Sequence, residues 1–203
     1  MSSVDAGQLL SILIEAARSS PRCLVALAGP PAVGKSTLAE RLARGLGPMA
    51  QVIPMDGFHR DNDWLDAHGL RARKGAPETF DAEAFVALVR EIRAGASPAY
   101  PLFDRTADRT LPGAGQVDPA ARVLIFEGNY LLLDRAPWRD LAPLWDITVS
   151  LAVDEEMLTS RLVQRWLDHG LSASEALARA ESNDLPNGRV ILRESRRADY
   201  RLV

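Results

Sequence analysis

The chain has 203 residues, with 24 Lys and Arg against 27 Asp and Glu and 47% hydrophobic residues; this supplies one globular domain with a sizeable core and leaves two independent domains cramped. A formal net charge of −3 provides no basic footprint for nucleic acid or for an anionic membrane surface, so neither is expected as a partner. No apolar run reaches the roughly 18 to 20 residues of a spanning helix, Asp5 stands where a signal peptide carries positive charge, and the one cysteine, Cys23, excludes an internal disulfide or a thiolate metal cluster. A cytoplasmic protein is the expectation.

Leu9, Leu10, Ile12, Leu13 and Ala16 at helical spacing predict an opening amphipathic helix, which leads through Ser20 and Pro21 into a buried strand over Cys23 to Ala28. A glycine loop follows at 29–34, then a helix over 35–46 stopped by Gly45 and Gly47, then a second strand over Gln51 to Met55. Residues 56–80 are rich in charge and glycine, with a short helix near Asp61 to His68, and Asp81 caps a helix that runs to Ala94. Residues 100–117 suit a small hairpin, and Arg122 to Phe126 suit a strongly apolar strand that breaks at Glu127-Gly128. Ile147 to Val153 reads as a strand, Asp154 as the cap of a helix over Glu155 to Leu167, residues 172–193 as mostly helical and Tyr200 to Val203 as a short closing strand. Apolar strands alternating with helices predict an α/β architecture, a doubly wound and mainly parallel sheet covered on both faces, with ligands at the carboxyl ends of the strands.

Gly29-Pro30-Pro31-Ala32-Val33-Gly34-Lys35-Ser36 matches G-x-x-x-x-G-K-[ST] between a predicted strand and a predicted helix, the context that this motif requires. Its glycines let the backbone curl so that successive N–H groups and a helix N-terminus face phosphates. Lys35 then reaches the outer phosphates, Ser36 offers its hydroxyl to magnesium, and Thr37 hydrogen-bonds nearby. Only Lys35 and Lys74 among the basic residues are lysines, so a compact ammonium is specified where arginine is otherwise the default. A nucleoside triphosphate with magnesium is the ligand expected. Neither lysine lies in an Asn-Lys-x-Asp segment, which removes guanine reading by that route, and Glu127-Gly128-Asn129-Tyr130 replaces the paired acids of a mechanical ATPase.

Gly29 to Thr37, Met55 to His59, Lys74 to Asp81 and Leu124 to Gly128, taken in order, resemble the uridine kinase, phosphoribulokinase and pantothenate kinase group of P-loop kinases, over nearly the whole chain. Asp56-Gly57-Phe58-His59, Phe103-Asp104-Arg105 and Asn183 to Asn187 are most similar to a compact bacterial subgroup labelled fructose-transport kinase or fructokinase. The resemblance implies a three-layer P-loop sandwich over residues 1–203, with acceptor loops at about 56–80 and 100–117 and a lid at about 165–185. It implies ATP with Mg2+ as cosubstrate and metal, and a small-molecule hydroxyl acceptor. Fructose leads, a nucleoside such as uridine is second and pantothenate third; a regulatory ATP-binding module or an ATPase is the reading from another class.

An Asp-Gly pair by itself reads as a turn. The resemblance makes Asp56 the catalytic base or a magnesium ligand through water, and puts Glu127 in the magnesium shell. It sets Arg161 and Arg165, four apart on one helical face, with Lys35 as stabilisers of the transferring group. His59, Lys74, Asn129, Tyr130 and Arg105 are the acceptor-side candidates, with Asp104 and Arg105 equally readable as a hairpin ion pair. Asn183 and Asn187 repeat the spacing and are open between adenine contact, lid hinge and helix cap. The group often pairs, which makes a homodimer possible.

Overall fold

The computed structural model describes residues 1–203. In chain order the elements are β1 (Ser2–Val4), α1 (Ala6–Ser19), β2 (Cys23–Ala28), α2 (Lys35–Leu46), β3 (Ala50–Pro54), α3 (Asn62–Ala67), α4 (Ala82–Arg93), β4 (Ala99–Asp104), β5 (Arg109–Gln116), β6 (Val123–Gly128), β7 (Ile147–Leu151), α5 (Glu155–Asp168), α6 (Ala173–Arg179), α7 (Leu185–Glu194) and β8 (Tyr200–Leu202). Six strands form one sheet in the order β1-β8-β7-β2-β6-β3, every pairing parallel. The α/β sheet flanked by helices agrees with the expected fold class.

Side-chain alternation along a strand sends β2 into two cores at once. Cys23, Val25 and Leu27 join Leu9 and Leu13 of α1, Leu38 and Leu42 of α2 and Leu158 and Leu162 of α5. Leu24, Ala26 and Ala28 join Phe85 and Val89 of α4, with Trp138 and Ile191. Burial on both faces explains why β2 and β6 are continuous apolar runs instead of alternating ones. Asp5, Asp81, Asp154 and Ser172 cap α1, α4, α5 and α6 through their side chains.

From β2 the chain crosses by α2 to the outer strand β3, whereas β7 lies on the other side of β2. That reversal opens a crevice at the carboxyl end of β2. β4 and β5 stand apart as a two-stranded antiparallel hairpin, as expected for residues 100–117, and β4 packs over the turn Met55–Phe58. A Cβ on Gly57 would run into the Pro101 carbonyl, so the glycine beside Asp56 is required by close approach of the hairpin.

Three local differences from expectation have physical causes. β1 is too short to leave a periodic pattern and exists because it pairs with β8, with Ser2 opposite Tyr200. β6 continues through Glu127 and Gly128, which pair with Leu27 and Ala28, because backbone pairing is indifferent to a polar side chain aimed past the strand end. The helical run over 172–193 is interrupted by a π-turn over Ala180–Asp184.

Phe85 is fully buried, edge-on to Phe58 at 5.0 Å between ring centroids and also close to Phe126 and Trp138. Phe85→Ala is expected to cost about 3 to 5 kcal/mol of stability, measured as a lowered urea midpoint at unchanged slope.

Candidate active site

Gly34, at φ 94°, ends the phosphate loop in a left-handed conformation and starts α2 with no side-chain cap. The first N–H groups of α2 therefore face the loop without a side-chain acceptor, in contrast to the four capped helices, which is the arrangement that receives anions. Lys35 opens the helix and is only 7% exposed. Its Nζ donates to the Pro30 carbonyl at 2.7 Å and to Asn129 Oδ1 at 2.8 Å.

Burial drives the Lys35 ammonium down from its usual 10.5 to about 8; Glu127 and Asp56 oppose the shift, and Arg165 and Arg105 add to it. Lys35, Glu127, Asp56, Arg165 and Arg105 thus share one electrostatic environment. Glu127, 6% exposed, accepts from the Ser36 hydroxyl at 3.1 Å. Its carboxyl is raised first by burial and next by the charge of Asp56, while Lys35 and Ser36 pull it down. Two carboxylates crowded together beside a hydroxyl fit a hard cation. No group of three or more His, Cys, Asp or Glu side chains is placed to cage an ion by protein ligands alone, so a cation beside Ser36 and Glu127 would need oxygen ligands from outside the protein.

Asp56 lies in the turn after β3, and Arg105 of the hairpin tip donates to its Oδ2 at 2.8 Å, with the arginine 65% and the aspartate 30% exposed. The phosphate side is approached by α5, where Arg161 donates to the Val33 carbonyl at 3.2 Å. Arg161, Gln164, Arg165, Asp168, His169 and Ala32 line an open cleft of about 350 Å3 between α5 and the loop.

The remaining acceptor-side candidates take distinct places. His59 stacks on Phe80 at 4.0 Å and lies 4.8 Å from Phe103, and burial pushes its imidazole down to about 4, so the ring is neutral near pH 7. Its Nδ1 is buried without a partner. Lys74 reaches Asp108 at 2.6 Å and Asn62 at 2.8 Å while lying over the Phe103 ring. Asn129 is spent on Lys35. Tyr130 has 0% exposure and donates its hydroxyl to the Gly75 carbonyl at 2.6 Å, which places it behind the loop that bears Gly75 and away from solvent. Asn183 and Asn187 are buried against Arg73 and Lys74. Arg73 and Asp108 are missed by sequence reasoning; an arginine beside a lysine and an aspartate in a turn carry no signal of the partners they find across the fold.

A model of the family described as phosphoribulokinase / uridine kinase matches residues 24–179, from the start of β2 to the end of α6. The chain belongs to the phosphoribulokinase/uridine kinase family. It is 38% identical over 193 residues to the Schizosaccharomyces pombe protein named "Putative uridine kinase C227.14", covering 89% of this chain and 82% of that one. It is 39% identical over 183 residues to YggC of Escherichia coli, covering 88% and 76%. A crystal structure of a "putative fructose transport system kinase" from a Silicibacter species superposes with a TM-score of 0.92 at 47% identity, covering 98% of this chain and 99% of that one. Membership in the phosphoribulokinase/uridine kinase family makes the chain a P-loop phosphotransferase with a hydroxyl acceptor.

At pH 7 Lys35 is charged in both the folded and the unfolded chain, and the folded state bears the cost of burying that charge. Between about pH 8 and 10.5 the unfolded chain binds more protons at this position, so the cost is relieved and stability rises with pH. The stability advantage of Lys35→Met over the native chain, followed by urea denaturation, is therefore expected to shrink as pH rises from 7 to 10.

Proposed function

We propose that this kinase transfers the γ-phosphoryl group of magnesium-bound ATP to a hydroxyl of a small uncharged, sugar-like metabolite, with fructose the leading acceptor. The observation that carries the reading is the shared environment of Lys35, Glu127 and Asp56 at the carboxyl ends of β2, β6 and β3. Lys35 and the open N-terminus of α2 hold the phosphates, and Ser36 with Glu127 holds magnesium, which neutralises phosphate charge when bound. Asp56 accepts the proton of the acceptor hydroxyl as its oxygen bonds to phosphorus and the bond to the leaving diphosphate breaks. Arg161 and Arg165 offset charge on the transferring group from the α5 side.

Charge balance on the acceptor wall supports an uncharged acceptor. Arg105 is paired with Asp56, Lys74 with Asp108 and Arg60 with Asp81, while His59 is neutral. Lys74 and Arg105, the cations that act on His59, already carry carboxylate partners, which ranks fructose ahead of pantothenate or a sugar phosphate. The name of the Silicibacter protein supports a sugar. A nucleoside such as uridine is the second reading, favoured by the name of the fission yeast relative and by the aromatic faces of His59 and Phe103.

Magnesium-ATP consumption against fructose, other sugars, uridine, cytidine, pantothenate and ribulose phosphate, with mass detection of the product and a control lacking acceptor, tests the reading. Acceptor-dependent turnover is expected; hydrolysis alone overturns it in favour of an ATPase. Asp56→Asn is expected to lower kcat by about 100-fold or more while magnesium-ADP affinity stays within about twofold, and full turnover would remove Asp56 as base. Asp108→Asn removes the carboxylate charge paired with Lys74 and is expected to raise kcat/KM for ribulose phosphate relative to the uncharged acceptor by about tenfold, the scale of one charge-assisted contact.

A further inference from the structure

Two buried amides turn their polar atoms toward the loop that bears Lys74 and toward each other. Asn183 and Asn187 are 1% and 3% exposed, and buried amides persist only when their polar atoms are met. The Asn183 Nδ2 donates to the Lys74 carbonyl at 2.8 Å, and its Oδ1 accepts from Asn187 Nδ2 at 3.3 Å and from Arg73 Nη1 at 3.4 Å. Asn187 Oδ1 accepts the other arm of the same guanidinium at 3.4 Å. An aspartate in place of Asn183 would lack the donor for the Lys74 carbonyl, and an apolar residue would leave that carbonyl unmet and remove one acceptor from Arg73.

The π-turn aims these groups. Its widened backbone turns Asn183 toward the acceptor loop while the next residue, Asp184, accepts from Trp166 Nε1 at 2.6 Å. Trp166 follows Arg165 on α5, the helix that touches the phosphate loop through Arg161. On its other side the same stretch of loop is held by Tyr130 through the Gly75 carbonyl, and Tyr130 follows the Asn129 that holds Lys35. Residues 73–75 are thus gripped from two directions, and each grip leads back within a residue or two to a group facing the phosphates.

We infer that Asn183, seconded by Asn187, is a positioning residue that couples occupancy of the phosphate site to order in the acceptor loop, through Arg73 and the Lys74 carbonyl. The inference rests on the reading of the phosphate loop as a nucleotide site. Nucleotide drawn against Lys35, Arg161 and Arg165 settles α5, and the Trp166–Asp184–Asn183 path carries that order to residues 71–79, which bear Lys74. The acceptor then meets a loop whose ordering cost has already been met, so the two ligands favour one another.

Hydrogen exchange of the full chain with and without magnesium and a non-hydrolysable ATP analogue tests this with no acceptor needed. The amides of Arg73, Lys74, Gly75, Ala76 and Thr79 are hydrogen-bonded and report on the loop. In the native chain the analogue is expected to slow exchange at 29–37 and, by about fivefold or more, at 71–79. In Asn183→Ala, protection at 29–37 remains and the gain at 71–79 disappears. Arg73→Ala, at a half-buried side chain, repeats the test should Asn183→Ala fail to fold. Loss of a merely structural contact would speed exchange equally with and without nucleotide. A gain at 71–79 that survives both substitutions, or native protection confined to 29–37, overturns the coupling. Absence of protection at 29–37 in the native chain overturns the nucleotide reading itself, and the coupling with it.

Discussion

A lysine ammonium taken out of water at the end of β2 is the constraint on which the rest of the site depends. A buried cation persists only where oxygen atoms replace its hydration, and Lys35 finds them in the Pro30 carbonyl and Asn129. Those two partners come from the loop before α2 and from the segment after β6, so the strands must end at one level and lie side by side. The parallel β2–β6 ladder, with Ala28 opposite Gly128, provides this. The same alignment brings Glu127 to Ser36 at the first turn of α2, whose N-cap is a glycine with no side chain to cap it.

Rigidity at the opposite end of β2 complements this. Asp146 accepts from the Leu24 backbone at 2.8 Å and is itself gripped by Arg93, which anchors the beginning of the strand to α4. With its start tied and both faces buried, β2 presents the phosphate loop from a fixed base. The segments over 55–80 and 99–116 are built differently, from a 3-10 turn, loops and a two-stranded hairpin joined by ion pairs with at least one partly exposed partner, which contribute little to stability and rearrange readily.

Legibility of the sequence follows the range of the interactions concerned. The phosphate loop was readable because its demands are local: a left-handed Gly34, a lysine at the first turn and a hydroxyl beside it. The helices announced themselves through Asp81, Asp154 and apolar spacing, and the hairpin through its turn residues. Gly57 looked like a turn glycine and serves instead to admit Pro101, a contact across more than forty positions. Tyr130 and Asn129 stood where an acceptor-facing loop was expected, but one supports Gly75 from within the core and the other holds Lys35. The Asn183–Arg73 pairing joins residues 110 positions apart, and no local pattern encodes such a meeting. β1 was invisible because three residues are too few for a period and its partner lies at the far end of the sequence.

That last pairing bears on how the molecule assembles. β1 lies at the sheet edge with β8 as its sole strand neighbour, and β2 lies between strands that begin at residues 123 and 147. Of the parallel ladders only β7–β8 joins consecutive strands, and three helices separate even that pair, so the central sheet cannot grow by successive hairpins. Closing loops of that length precedes any gain from pairing, which slows folding of such topologies. During synthesis the β1 edge stays unpaired until residues 200–202 are available. The capping box at Asp5 and Gln8 fixes the start of α1 by contacts within four residues, so that signal, unlike the β1 pairing, needs nothing from the far end of the chain.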